Sequence, residues 1–327
     1  MTTPRMTVGF PPGPRTIELA RIAEDLGYDR VWLFDSAGIY EDIWIWLALA
    51  ARETSIPLGT AVLVPNLRHV MTTAAAIATI ENMAPGRTAY GFGTGASARW
   101  VLGKQALSWR TTREYFETLR GLLRGDVVEY DGARTQMLHH PELSLPRPID
   151  VPLLLSAMGP KGLEIAREIA DGVFTMAGGV EGFDWCIQMV NGTVLDDDES
   201  IETPRVREAL GPWYVLAYHG TWQTAGDAVD GLPGGAEWRA AIEAERPEGE
   251  RHLAVHEGHA THVMPRDRPL LDAAGDGLAG WGWVGTPEEV RARAEAAAAS
   301  GVTDLLYTPA GPDVERDMRA FAAALRS

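Results

Sequence analysis

Glycines 91, 93 and 95 alternate in the run Tyr90-Gly-Phe-Gly-Thr-Gly-Ala-Ser97. Residues without a Cβ let a planar ring system lie directly on the backbone. Gly93, Thr94, Gly95 and Ala96 are therefore read as the floor of a cofactor pocket; a tight barrel corner is the other reading of the same pattern. A second glycine pattern suits an anion. Gly159-Pro160-Lys161-Gly162 opens a helix with free amides, Gly178-Gly179 supplies a flexible pair, and Lys161 adds positive charge. These are candidates for holding a phosphate, against ordinary turn chemistry.

Acid–base candidates are few. Asp35 follows a buried strand, where a carboxylate needs a partner or a role, a cap on the following turn being the alternative. His219 is the only histidine expected at a strand end, and it is a candidate proton donor or substrate contact, or a satisfied rim residue. Four more histidines lie close together at 252, 256, 259 and 262. His252, His256 and His259 would share a helical face, but only one residue separates Glu257 from His259, which is not H-E-x-x-H, and Gly258 weakens a helix. Lid or substrate contacts, or solvation, are expected there, and no metal. Cys186, beside Trp185 on an expected helix, reads as packed.

Such residues need a scaffold that brings them together. Apolar runs at 7–10, 30–34, 57–65, 87–92, 151–156, 172–176, 212–219 and 304–308 read as strands, most without polar alternation, as for parallel strands covered on both faces. Helical stripes fall between them: Leu19, Ile22, Ala23 and Leu26 before Gly27; Val70, Ala74, Ile77 and Met83 before Pro85-Gly86; Val314, Met318, Phe321 and Leu325 at the end. Thr286-Pro287-Glu288-Glu289 is a capped helix start, and residues 127–132 read as a small hairpin on the rim. About eight alternations point to a (β/α)8 barrel of the α/β class, with the active site at the strands' carboxyl ends. Those ends carry Asp35, Val64, Gly93–Ser97, Ser156–Gly159, Ala177–Gly179, His219 and Thr308. The stretch 220–285, too long for a barrel connection, is expected to be an insertion between strands 7 and 8, lying over the pocket.

With 327 residues and 46% hydrophobic content, one large core is expected, a single domain over 1–327. The 29 Lys and Arg against 45 Asp and Glu, net charge −16, argue against phosphate-backbone binding, so no nucleic-acid partner is expected. One cysteine excludes an internal disulfide and fits a reducing compartment. No apolar run reaches the ~18 residues of a membrane helix, and Met1 to Met6 leads straight into a strand, so a cytoplasmic, membrane-free protein is expected.

Several motifs in one order resemble the bacterial luciferase-like flavin and deazaflavin oxidoreductases: Gly59-Thr-Ala-Val-Leu-Val-Pro65, Thr73-Ala-Ala-Ala-Ile-Ala-Thr79, Gly86-Arg87, Gly91–Gly95, Val151–Lys161, Ala170–Val173 and Gly285–Glu288. Within that family the chain looks most like the branch using the deazaflavin coenzyme F420, which includes a glucose-6-phosphate dehydrogenase and a methylene-tetrahydromethanopterin reductase. The resemblance implies a TIM barrel, a ring system across the strand ends, its phosphate at the loops after strands five and six, and a homodimer paired near Trp44 and Trp46. By position it implies a cis peptide at Ala61-Val62, beneath the ring. Asp35-Ser36 stands where the sugar phosphate dehydrogenase has Asp-His, Ala96 where it has glutamate, and Tyr40 near a pocket tryptophan. Sugar phosphate oxidation is therefore not implied. Asp35, Tyr40 and His219 remain the catalytic candidates, with His256 or His259 as another source of a proton. The implied activity is hydride transfer between coenzyme F420 and a small organic substrate. An FMN-dependent monooxygenase is the alternative, and a non-catalytic cofactor-binding relative the third reading.

Overall fold

The computed structural model describes residues 3–326. Eight parallel strands form a closed barrel: β1 Arg5–Phe10, β2 Arg30–Leu33, β3 Leu58–Leu63, β4 Thr88–Phe92, β5 Leu153–Ser156, β6 Gly172–Thr175, β7 Cys186–Val190 and β8 Asp304–Tyr307. Each strand pairs with its neighbours in sequence, and β8 closes the ring on β1 with Arg5 opposite Asp304.

The strands are apolar on both sides because both sides are covered. In β2, Val31 and Leu33 belong to the layer under the helices. Trp32 faces inward, joining Ala61, Ala89, Leu154, Phe174, Ile187 and Leu306 from the other strands. Trp32 and Phe174 meet edge to face with centroids 5.1 Å apart. Burying a phenylalanine completely contributes about 1.5–3 kcal/mol. These rings need room, and glycine supplies it. A Cβ at Gly91 would stand 2.5 Å from Phe174 Cε2, and one at Gly59 would overlap the Trp32 ring. Gly91 is therefore a packing residue inside the barrel and not part of a ligand floor.

Local signals set the outer helices. Asp42 caps Ile43–Glu53 by accepting from the Trp44 amide at 2.9 Å, and Ser108 caps Trp109–Arg124 from the Thr111 amide. Thr286 and Glu289 form the expected capping box on Pro287–Ala299. Val128–Tyr130 and Ala133–Thr135 make the rim hairpin, turning at Asp131-Gly132.

The seventh strand is not where the sequence pattern put it. Residues 212–219 lie inside the helix Pro204–Ala225, and β7 is the short run Cys186–Val190, so Cys186 is packed in a strand and not on a helix. Val206, Leu210, Tyr214 and Tyr218 recur every fourth residue and are buried, one helical stripe. Their aromatic and β-branched character mimicked a strand. His219 consequently sits on a helix and not at the end of a strand.

The excursion between β7 and β8 thus begins well before residue 220. Gly192–Val194 on the way out and Trp283–Gly285 on the return pair as short parallel strands. Between them, helices Pro204–Ala225, Gly235–Glu245, Arg251–Val255 and Arg268–Ala274 share a separate apolar cluster that includes Leu210, Tyr218, Trp238, Ile242 and Leu270. Among the described residues, no helix is long and apolar enough to cross a membrane.

Candidate active site

Consecutive strands β2 to β6 deliver the candidate residues as an arc along one end of the barrel. At the end of β2, Asp35 is buried and ion-paired: Arg68 Nη1 donates to its Oδ2 at 2.8 Å and its Oδ1 at 3.0 Å, while Arg68 Nη2 reaches Asp42 at 3.0 Å. Burial pushes the Asp35 carboxyl above the usual aspartate range; Arg68 pulls the other way without cancelling the shift. Asp35 has found the partner that a buried carboxylate needs. The peptide Ala61-Val62 is cis, and the register between β3 and β4 shifts between Thr60 and Leu63.

Gly93 lies where β3, β4 and β5 meet. A Cβ there would come within 2.9 Å of Val62 Cγ2 and 3.6 Å of Ser156 Cβ, so half-buried side chains from β3 and β5 flank this backbone position. Gly95, at φ +76°, is the left-handed residue that starts the helix Ala96–Trp100, and Val64 packs against it. Thr94 and Ala96 are half-buried beside them.

The anion candidates separate. Gly159 begins the helix Pro160–Ile169 with no side-chain cap, and a Cβ on it would meet nothing within 4 Å. Lys161, in the first turn, is exposed and has no hydrogen-bond or ion-pair partner among the described residues. Gly178, at φ +69°, follows β6, and a Cβ there would stand 3.4 Å from Ser300 Oγ. Gly179 does not serve: its amide donates to Ser300 Oγ at 2.8 Å, and its Cα faces the Ser300 backbone so closely that any Cβ would overlap it. Met158 and Met176, just past β5 and β6, leave 55% and 48% of their surface exposed, an apolar rim at the arc's edge.

The insertion touches this arc through histidines. Tyr40 donates its hydroxyl to the His259 carbonyl at 2.9 Å, and burial raises its pKa above the usual tyrosine value. His259 Nε2 lies 2.7 Å from Ser97 Oγ, directly after the glycine turn. His219 Nδ1 approaches His259 Nδ1 at 2.9 Å; His256 Nδ1 approaches it at 3.4 Å. His219 stacks on Trp238, and His256 on Trp100. All three rings are buried, and desolvation holds them neutral: His256 drops to about 3, His259 to about 4, and His219 well below its ordinary value. His252 is half-buried and His262 exposed, both outside the cluster. The run of histidines was visible in the sequence, but the third ring comes from a helix misread as a strand.

A cavity of about 260 Å³ lies beside the ends of β6 and β7, lined by Met176, Gln188, Met189, Asn191, Trp281 and Trp283 among others. Gln188 Oε1 is buried there without a partner. Nothing in the sequence flagged Gln188, because its strand was not recognised.

The family model for luciferase-like monooxygenases matches residues 2–304. A 5,10-methylenetetrahydromethanopterin reductase from Methanolobus tindarius is 32% identical over 196 residues, 57% of this chain and 58% of that protein. An F420-dependent glucose-6-phosphate dehydrogenase from Nakamurella multipartita is 34% identical over 204 residues, 54% of this chain and 58% of that protein. The chain thus spans less than two thirds of the length of each. The solved structure of the coenzyme F420 dependent tetrahydromethanopterin reductase from Methanopyrus kandleri superimposes with a TM-score of 0.67 at 21% identity, covering 99% of both chains, and shares the fold.

Proposed function

The chain belongs to the luciferase-like monooxygenase family, and from that premise we propose that it is an oxidoreductase that moves a hydride between coenzyme F420 and a small organic substrate. The observation that carries this reading is the pairing of two features along one arc. The bare backbone at Gly93, between Val62 and Ser156, suits a flat ring. The uncapped helix start at Gly159 with Lys161 suits a phosphate. The F420-dependent relatives support the same cofactor. The residues present fit it: open space faces Gly159, and Lys161 stands exposed where an oligoglutamate tail needs an exit.

Bound coenzyme F420 supplies a hydride-carrying carbon at the deazaflavin C5. The chain's own part is orientation and exclusion of water. Val62, Val64, Gly93, Thr94, Gly95, Ala96 and Ser156 hold the ring, while Lys161 and the amides near Gly159 and Gly178 hold the phosphate. Asp35 and Tyr40 are positioning residues, since Arg68 occupies one and the His259 carbonyl the other. Tyr40 fastens the insertion to the loop after β2.

Fluorescence titration tests the reading. Coenzyme F420 is expected to bind at least tenfold tighter than FMN, about 1.4 kcal/mol. Lys161→Ala is expected to weaken F420 by up to about 1 kcal/mol at low salt and less at high salt, because an exposed ion contact is screened. Tighter binding of FMN, with oxygen consumed by the reduced flavin complex, would favour a monooxygenase; F420 bound but never turned over would favour a non-catalytic relative.

We also propose a homodimer. Trp44 and Trp46 are half-buried, but Ile45 and Leu49, one turn apart on Ile43–Glu53, leave 62% and 39% exposed. Symmetric pairing is the commonest oligomer. Light scattering at micromolar concentration should give twice the chain mass, and a monomer would overturn the proposal.

A further inference from the structure

We propose that His219, His256 and His259 form a binding site for one divalent transition-metal ion of the zinc class, with a fourth coordination position left open. The site goes beyond the hydride-transfer reading and does not depend on it. One nitrogen from each ring lies within 4.8 Å of the others. The distances from His259 Nδ1 are 2.9 Å to His219 Nδ1 and 3.4 Å to His256 Nδ1. Zinc–nitrogen bonds of about 2.0–2.1 Å at tetrahedral angles separate neighbouring ligand nitrogens by about 3.3–3.4 Å. The cluster is therefore already near the size that one ion requires.

The outward nitrogens of His256 and His259 behave as those of metal ligands do. A ligating imidazole turns its second N–H to an acceptor that fixes ring and tautomer. His256 Nε2 lies 3.2 Å from Gln223 Oε1, and His259 Nε2 lies 2.7 Å from Ser97 Oγ. When both Nε2 atoms donate outward, both Nδ1 atoms turn lone pairs toward each other. The single Nδ1–H that His219 can offer satisfies only the closer of them. A cation satisfies all three at once.

His219 carries the argument further. It is 2% exposed, and its Nε2 is buried with no hydrogen-bond partner. A buried polar group left unpaired costs about 1–3 kcal/mol. An apolar ring would stack on Trp238 without that cost, so packing alone does not explain a histidine here.

The donor set selects the ion. Three imidazoles with no carboxylate in the group suit zinc, copper, nickel or iron, and not magnesium or calcium. Three protein ligands leave room for water or a substrate oxygen, the arrangement of a site that is not purely structural. Through Ser97 and Tyr40 the site also joins the insertion to the loops after β4 and β2.

Titration of the chelator-treated full-length protein with Co²⁺ decides the matter. One equivalent is expected to bind with the intense visible absorption of a tetrahedral ion, and Zn²⁺ is expected to displace it. His219→Gln and His256→Gln should each lose that equivalent, whereas His262→Gln, at an exposed ring, should keep it. Circular dichroism establishes that each variant is folded. Should a variant fail to fold, X-ray absorption on the zinc-loaded wild type counts the imidazoles: three support the site, and fewer overturn it. Substoichiometric binding by folded wild type, or an equivalent retained in both folded variants, would also overturn it and leave a hydrogen-bonded histidine cluster.

Discussion

Replacing Arg68 by alanine should destabilise the protein by about 3–5 kcal/mol at neutral pH, because removing one partner of a buried ion pair strands the other charge. The Asp35 side chain is 2% exposed and that of Arg68 16%. Beyond Arg68, Asp35 is offered, among the described residues, only the Val64 amide at 3.5 Å. The second arm of Arg68, toward half-exposed Asp42, adds no more than about 1 kcal/mol. The pH dependence has a definite sign. Burial already holds the Asp35 pKa above its ordinary value, and losing the guanidinium raises it further. The folded variant therefore keeps a proton that the unfolded chain has lost. A group raised in the folded state contributes fully below the unfolded pKa and loses that contribution as pH rises through the folded one. The deficit of Arg68→Ala is thus expected to be larger at about pH 8 than at about pH 5 in urea unfolding. Adding Asp35→Asn should recover most of it. An equal deficit at both pH values, or no recovery in the double variant, would show that the stranded carboxylate is not the cause.

Seven of the eight strands were legible because each is an apolar run bounded by turn residues, and all of them but β6 are followed by a helix. β7 was not. Cys-Ile-Gln-Met-Val carries a buried glutamine in its middle and follows a loop in place of a helix, while the aromatic residues near Tyr214 gave a louder false signal. Length favours the helix: the apolar stripe from Val206 to Tyr218 is longer than a typical barrel strand. The site was legible to the same extent. Strand ends β2 to β6 were found, so the glycine turn at 93–95 and the helix start at 159 were found with them. What periodicity cannot show is which neighbour fills a space. Gly91 makes room for Phe174, and Gly179 closes on Ser300, though both read as ligand contacts. Equally, no spacing within the run from His252 to His262 reveals a third ring arriving from another helix.

Gly95→Val should lower stability by about 2–5 kcal/mol, combining the left-handed backbone penalty with overpacking. The sequence alone suggests a variant that blocks the cofactor while the fold survives, but the geometry assigns the first collision elsewhere. Gly95 holds φ +76°, and its Cβ would overlap Val64 Cγ1 at the end of β3. Relief requires the turn to move, carrying Gly93 away from Val62 and Ser156, so affinity for F420 should fall together with the melting temperature. Gly159→Ala is the variant that separates the two effects. Its φ is −123°, and a Cβ meets nothing within 4 Å, so a methyl group strains neither backbone nor packing. If the cofactor phosphate occupies that space, Gly159→Ala weakens F420 while the melting temperature stays at the wild-type value. Thermal melts with and without F420 read both quantities in each variant. A Gly95→Val protein with wild-type stability would show that Val64 does not confine the turn. A Gly159→Ala protein with wild-type affinity would move the phosphate away from the start of the Pro160–Ile169 helix.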